Sequence, residues 1–115
     1  MINNLMIRID CKGRTLLVNP DNIRWVQGAR KSVTLYFDGE SCVLRNSLES
    51  MEAQLICYDF VRIHRCTIVN VSHIRELRQW FRGTLLVFLQ DGTKLLLSKS
   101  YRSHFLKHLR RKIIK

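Results

Sequence analysis

The chain has 115 residues, 46% of them hydrophobic and 25% charged, which suits a single globular domain with a modest core and argues against intrinsic disorder as the default. Its formal net charge is +11, and the excess is one-sided: residues 1–60 carry seven basic and seven acidic groups, whereas from Val61 onward 13 Lys and Arg face only Glu76 and Asp91. That asymmetry points to a polyanionic partner, either nucleic acid or an anionic membrane surface. No apolar run reaches transmembrane length, so any membrane contact is peripheral.

The first 20 residues read as an N-terminal hairpin. An alternating strand begins at Met6, Asp10 to Arg14 turns on Gly13, and Thr15 to Val18 returns. Asn19-Pro20-Asp21-Asn22 is a break, because proline cannot donate to a ladder. Ile23 to Val26 alternates again, and Gln27 to Ser32 is a polar loop with Arg30 and Lys31 at its tip. Ser32 to Phe37 is a strand on β-branched and aromatic content, Asp38-Gly39 turns it, and Ser41 to Arg45 pairs back. Ser47 has the chemistry of a helix cap, and Leu48, Met51 and Leu55 follow at helical spacing.

From Phe60 the period is again two. Val61 and Ile63 point inward, Arg62 and His64 outward, and Thr67-Ile68-Val69 forms a buried β-branched strand. His64-Arg65 sits at the bend between the two, well placed to reach something acidic. Asn70, an amide after a buried strand, reads as structural. Ser72 to Arg78 alternates, Trp80 and Phe81 run into a turn, and Thr84 to Leu89 is a central strand. Asp91-Gly92 turns it, and Lys94 to Leu97 pairs back. A last helix runs from about Ser100 to Lys112, with Tyr101, Phe105 and Leu109 on one face and Arg102, Lys107, Arg110, Arg111 and Lys112 elsewhere. The fold class is mainly β: packed sheets of short antiparallel strands, with one short internal helix and a C-terminal helix.

Catalytic chemistry is hard to assemble. Two carboxylates after Phe60 leave no pair for acid–base work, and no phosphate-cradling glycine loop or G-x-S-x-G context exists. His104 and His108 share a helical face, but Leu106 and Lys107 stand where a zinc hydrolase carries its carboxylate, so they read as surface histidines. Cys11, Cys42, Cys57 and Cys66 lack C-x-x-C spacing, and Met1-Ile-Asn-Asn shows no cleavable signal. A reducing cytoplasm and mostly buried, reduced thiols are expected. Cys66, beside Arg65, is the one thiol whose neighbours suit a sensor. No enzyme activity, metal, cofactor or small-molecule substrate is expected.

Three pieces in order carry a family likeness. Phe60-x-Arg62-x-His64-Arg65-x-x-Ile68-Val69-Asn70-x-x-x-Ile74 resembles the central signature of the LytTR-type DNA-binding domain of bacterial response regulators. Asp91-Gly92-x-Lys94-x-x-x-Ser98-Lys99-x-Tyr101 resembles its late hairpin and the strand after it. Ile23-x-Trp25-Val26-x-Gly28 with Val33-x-Leu35 resembles its first hairpin, so residues 21–112 form the core of the likeness. The resemblance implies an elongated all-β fold whose loops enter successive major grooves of double-stranded DNA, bend it, and recognise paired promoter repeats. One monomer then engages each repeat as a homodimer on DNA. Carried onto this chain, the contacts fall on Arg30 and Lys31, on His64 and Arg65, and on Lys99 with Arg102. Basic groups there favour guanine edges or phosphates. The usual receiver domain is not seen, so a stand-alone regulator set by abundance or by a regulatory protein partner is expected. The alternatives are a single-stranded nucleic acid or RNA module stacking bases on Trp80 and Phe81, and a peripheral anionic-lipid binder using the C-terminal helix.

Overall fold

The computed structural model describes residues 6–112, so the reading of Met1 to Asn4 as lacking a signal lies outside it. β1 (Ile7–Cys11) and β2 (Arg14–Val18) form the expected two-stranded hairpin. A five-stranded antiparallel sheet follows, in the order β5-β4-β3-β7-β6. Its strands are β3 (Ile23–Ala29), β4 (Ser32–Phe37), β5 (Glu40–Leu44), β6 (Phe60–His64) and β7 (Thr67–Asn70). The third sheet is β8 (Ile74–Gln79), β9 (Leu85–Leu89) and β10 (Lys94–Leu97), with β9 central as its apolar run demands. Helix α1 (Leu48–Gln54) is capped by Ser47, whose hydroxyl accepts from the Ser50 N–H. Helix α2 (Lys99–Arg110) closes the fold.

The five-stranded sheet lies between two cores. One face packs Val26, Leu35 and Ile68 against the N-terminal hairpin and against Leu48, Met51 and Leu55 of the α1 segment. The other packs Val61, Ile63 and Val69 against Val87, Leu95 and Leu97 of the third sheet and Phe105 of α2. Arg24 of β3 reaches Asp91 of the β9–β10 turn at 3.0 Å, tying two sheets together. Burial pushes the Asp91 carboxyl up, but hydrogen bonds from Thr93 and the charge of Arg24 outweigh it, and its pKa falls below the usual value.

Coverage of both faces overturns one expectation. Arg62 does not point into water; it is 8% exposed, because α1 lies over the face of β6 that alternation assigned to solvent. Three smaller differences have similar tertiary causes. β3 continues to Ala29, paired with β4 on one side while the Gly28 N–H donates to the Cys66 carbonyl at 2.7 Å on the other, so the polar loop shrinks to Arg30-Lys31. Short 3-10 turns form at Pro20–Asn22 and Val71–His73, each led by an asparagine whose side chain accepts a backbone N–H two residues on. Cys11 and Cys42 are not separate buried thiols: they are bonded, with Cα atoms 6.2 Å apart, and join the N-terminal hairpin to β5.

Asn70 is buried, 1% exposed, and joins two elements: its amide donates to the Ile23 carbonyl at 2.9 Å, and its oxygen accepts from the Ser72 N–H and hydroxyl. Replacing it strands a buried carbonyl. Asn70→Leu should lower unfolding free energy by about 1–3 kcal/mol in urea titration, and a midpoint equal to the parent's contradicts this assignment.

Candidate nucleic-acid interface

The bend between β6 and β7 is set by one side chain. The Arg62 guanidinium donates to the carbonyls of His64, at 3.0 Å, and of Arg65, and to Glu52 Oε1 of α1 at 2.9 Å. Glu49 Oε2 lies 3.6 Å away, and the Tyr101 ring centroid 5.8 Å from the guanidinium carbon. Both carbonyls of the bend are thus held from inside, and Arg65 between β6 and β7 is exposed. His64 is half-buried, with Nδ1 accepting from the Cys66 N–H at 3.2 Å, so its neutral form carries the proton on Nε2.

Two further elements meet this bend. On one side, β3 runs past Cys66 to the Arg30-Lys31 turn, where Lys31 adopts a left-handed backbone at φ 62°. Arg30, Lys31 and Arg65 line one cleft of about 320 Å³, floored by Gly28, Ala29 and Leu48. Gly28 is needed there, since a side-chain carbon at that position would stand 3.0 Å from Leu48 Cδ2. On the other side, the Ser98 N–H donates to the Ile63 carbonyl at 2.9 Å, which brings the start of α2 and Lys99 to the end of β6. Arg102 is half-buried and donates to the Gly83 carbonyl at 3.1 Å, fastening α2 to the β8–β9 turn. The structure therefore gathers Arg30, Lys31, His64, Arg65 and Lys99 on neighbouring loop ends, with Arg102 one turn behind Lys99.

What sets these groups apart is their convergence on the bend, since Lys12, Arg45, Arg82, Lys94, Lys107, Arg110 and Arg111 also lack an acidic partner among the described residues. Asp10, Glu40, Glu49, Glu52, Asp59, Glu76 and Asp91 all engage cations elsewhere, and Arg30, Lys31, Arg65, Lys99 and Arg102 have no acidic partner among the described residues. Glu76 is held by Arg78, whose hydrogen bond keeps its carboxyl below the ordinary pKa. Glu49 lines the same cleft as Lys31 but is directed to Arg62. The exposed cations at the bend, Arg30, Lys31, Arg65 and Lys99, can take phosphates or guanine edges without first breaking an internal pair. Arg62 and its anchor Glu52 are the supporting residues that sequence reasoning missed. The available signal was Glu49 and Glu52, three apart on one helix face and without a cation of their own on α1.

A family model described as the LytTr DNA-binding domain matches residues 13–110. Similar curated proteins include the sensory transduction protein LytT of Enterococcus faecalis, 32% identical over 99 residues, covering 86% of this chain and 41% of the relative. LytT of Bacillus cereus is 33% identical over 95 residues, covering 83% of this chain and 39% of the relative. The transcriptional regulatory protein LytR of Staphylococcus aureus is 44% identical over 46 residues, 40% of this chain and 19% of that one. The chain thus spans about two fifths of the length of these two LytT relatives. Among solved structures, a LytTr DNA-binding domain from Bacillus cereus superposes with a TM-score of 0.82 at 24% identity, covering 93% of this chain and 98% of that one.

Because the Arg62 side chain is 10% exposed, it acts on any ligand through the bend rather than by touching it. Arg62→Met, which keeps the apolar stem, leaves two carbonyls of the bend without donors and should cost about 1–3 kcal/mol of stability. Duplex affinity should also fall well below that of the parent in fluorescence anisotropy at a temperature where both remain folded. Unaltered affinity would remove Arg62 from the support of the interface.

Proposed function

Because the chain belongs to the LytTR family of DNA-binding domains, we propose that it is a sequence-specific regulator of transcription that grips the duplex with the loop ends around Arg65. Arg65 reads a base edge in the major groove from the centre of the interface, with His64 beside it. Lys31 and Arg30 contact the neighbouring groove or its phosphates from the β3–β4 turn, and Lys99 and Arg102 do so from the start of α2. The observation that carries this reading is the convergence on the β6–β7 bend: the Gly28–Cys66 hydrogen bond brings in β3, the Ser98–Ile63 bond brings the start of α2 to the end of β6, and the cations there lack acidic partners among the described residues. Pre-set loops of this kind favour recognition, since little ordering remains to be done on binding.

The activity is binding, not catalysis. Two copies occupy a paired repeat as a homodimer on DNA, in the cytoplasm, and a regulatory protein or the abundance of the chain sets occupancy. Among the described residues no helix is long and apolar enough to cross a membrane. Trp80 and Phe81, 53% and 64% exposed on the β8–β9 turn, sustain a second reading in which single-stranded bases stack on them.

Selection of duplexes from a random pool supplies the target. Arg65→Ala should then weaken binding to that duplex by about 1–3 kcal/mol, roughly five- to 150-fold, and relax the base preference at one position. Lys31→Ala and Lys99→Ala should each weaken it too. Trp80→Ala should leave duplex affinity intact. Tighter binding to the unpaired strand than to the duplex, lost with Trp80→Ala, would establish the second reading in place of the first.

A further inference from the structure

We propose that the outer stripe of α2, formed by Lys99, Ser103, Lys107 and Arg110, is a track for DNA backbone phosphates that extends the footprint beyond the groove-reading loops. The inference rests on the duplex-binding reading above and adds a second, sequence-independent surface to it. Residues 99, 103, 107 and 110 are spaced four, four and three apart, which puts them on one side of a helix. Together with Gly83, Arg102 and Leu106 they line a cleft of about 400 Å³ between α2 and the β8–β9 turn. The stripe starts where the Ser98 N–H meets the Ile63 carbonyl, beside the bend that carries Arg65.

The two flanks of α2 differ in their acidic neighbours. Facing α1, Lys112 Nζ lies 3.5 Å and His108 Nε2 2.9 Å from Asp59 Oδ1, so a carboxylate already occupies part of that flank, and Arg111 is the cation left unpaired there. On the outer flank Lys99, Lys107 and Arg110 are exposed and have no acidic partner among the described residues. From Lys99 to Arg110 the helix rises about 16 Å, the axial span of about five phosphates of one strand. Two lysines, an arginine and a serine hydroxyl over that distance suit an evenly spaced line of anions.

An anionic bilayer offers phosphates as well, but the packing of α2 favours the duplex. A helix that binds a membrane surface needs a free apolar face to bury among the acyl chains. In α2 that face is already occupied: Phe105 is 0% exposed, and Tyr101, Leu106 and Leu109 pack against the core that it belongs to.

The test is a salt series. Affinity for the selected duplex is measured by fluorescence anisotropy from low to moderate salt for the full chain and for Lys107→Ala, Arg110→Ala and the double variant, with thermal melts to confirm folding. Each lost phosphate contact should flatten the plot of log K against log salt by about 0.9, and the double variant by about 1.8. Selected and scrambled duplexes should lose affinity by the same factor, leaving base preference unchanged, and Lys107→Arg should restore the slope. Slopes equal to the parent's, in a protein whose selected-duplex binding still falls with Arg65→Ala, overturn the track and leave the groove reading standing. Absence of duplex binding by the parent overturns both. Co-sedimentation with phosphatidylglycerol vesicles that both variants lose, with duplex slopes unmoved, assigns the stripe to a membrane and overturns it as well.

Discussion

The bend that carries Arg65 depends on one buried cation. A guanidinium taken out of water loses several kcal/mol of hydration, and only full hydrogen bonding in good geometry offsets that. Arg62 meets the requirement by spanning elements that are distant in sequence: a carboxylate of α1 on one side and two carbonyls of its own bend on the other, with the Tyr101 ring of α2 alongside. Those carbonyls belong to His64 and Arg65, so the group that satisfies the buried charge also fixes the backbone from which the exposed charge projects. Placing α1 over β6 and fixing the bend are one structural event.

The same economy governs charge across the surface. The chain has nine acidic residues, and most are engaged away from the loop ends: Asp10 and Glu40 on the N-terminal sheets, Asp91 with Arg24 between sheets, Glu76 along β8, and Asp59 on the inner flank of α2. Among the cations left over are those on neighbouring loop ends and down the outer side of α2; Lys12, Arg45, Arg82, Lys94 and Arg111 are unpaired elsewhere among the described residues. A net charge of +11 would steer the protein to any polyanion. In the proposed reading, the loop ends convert that general attraction into a footprint with a position and a direction.

Much of this architecture could be read from residues alone, because local rules and tertiary packing agree there. Asp38-Gly39 and Asp91-Gly92 turn where turn chemistry requires, Ser47 caps α1, and the apolar run from Leu85 to Leu89 is a central strand. Period-two alternation failed at Arg62, since it assumes one wet face and β6 has none. The end of β3 was underestimated because Gln27, Gly28 and Ala29 are poor strand formers held in place by pairing on both sides. The Cys11–Cys42 bond joins residues 31 apart, and no local spacing rule could have paired them. That Lys31, Arg65 and Lys99 stand at loop and strand ends was legible from residue type and position, in agreement with the family likeness; their mutual approach rests on backbone hydrogen bonds between elements, which no single stretch of sequence displays.

The most direct measurement is an amide chemical-shift map of the 115-residue chain titrated with its selected duplex. The account predicts that the largest shifts cluster at residues 28–31, 64–66 and 98–103, continue along the outer side of α2, and spare the β1–β2 hairpin and the Asp38-Gly39 turn. A map centred on the β1–β2 hairpin, with the bend at Arg65 silent, would contradict it.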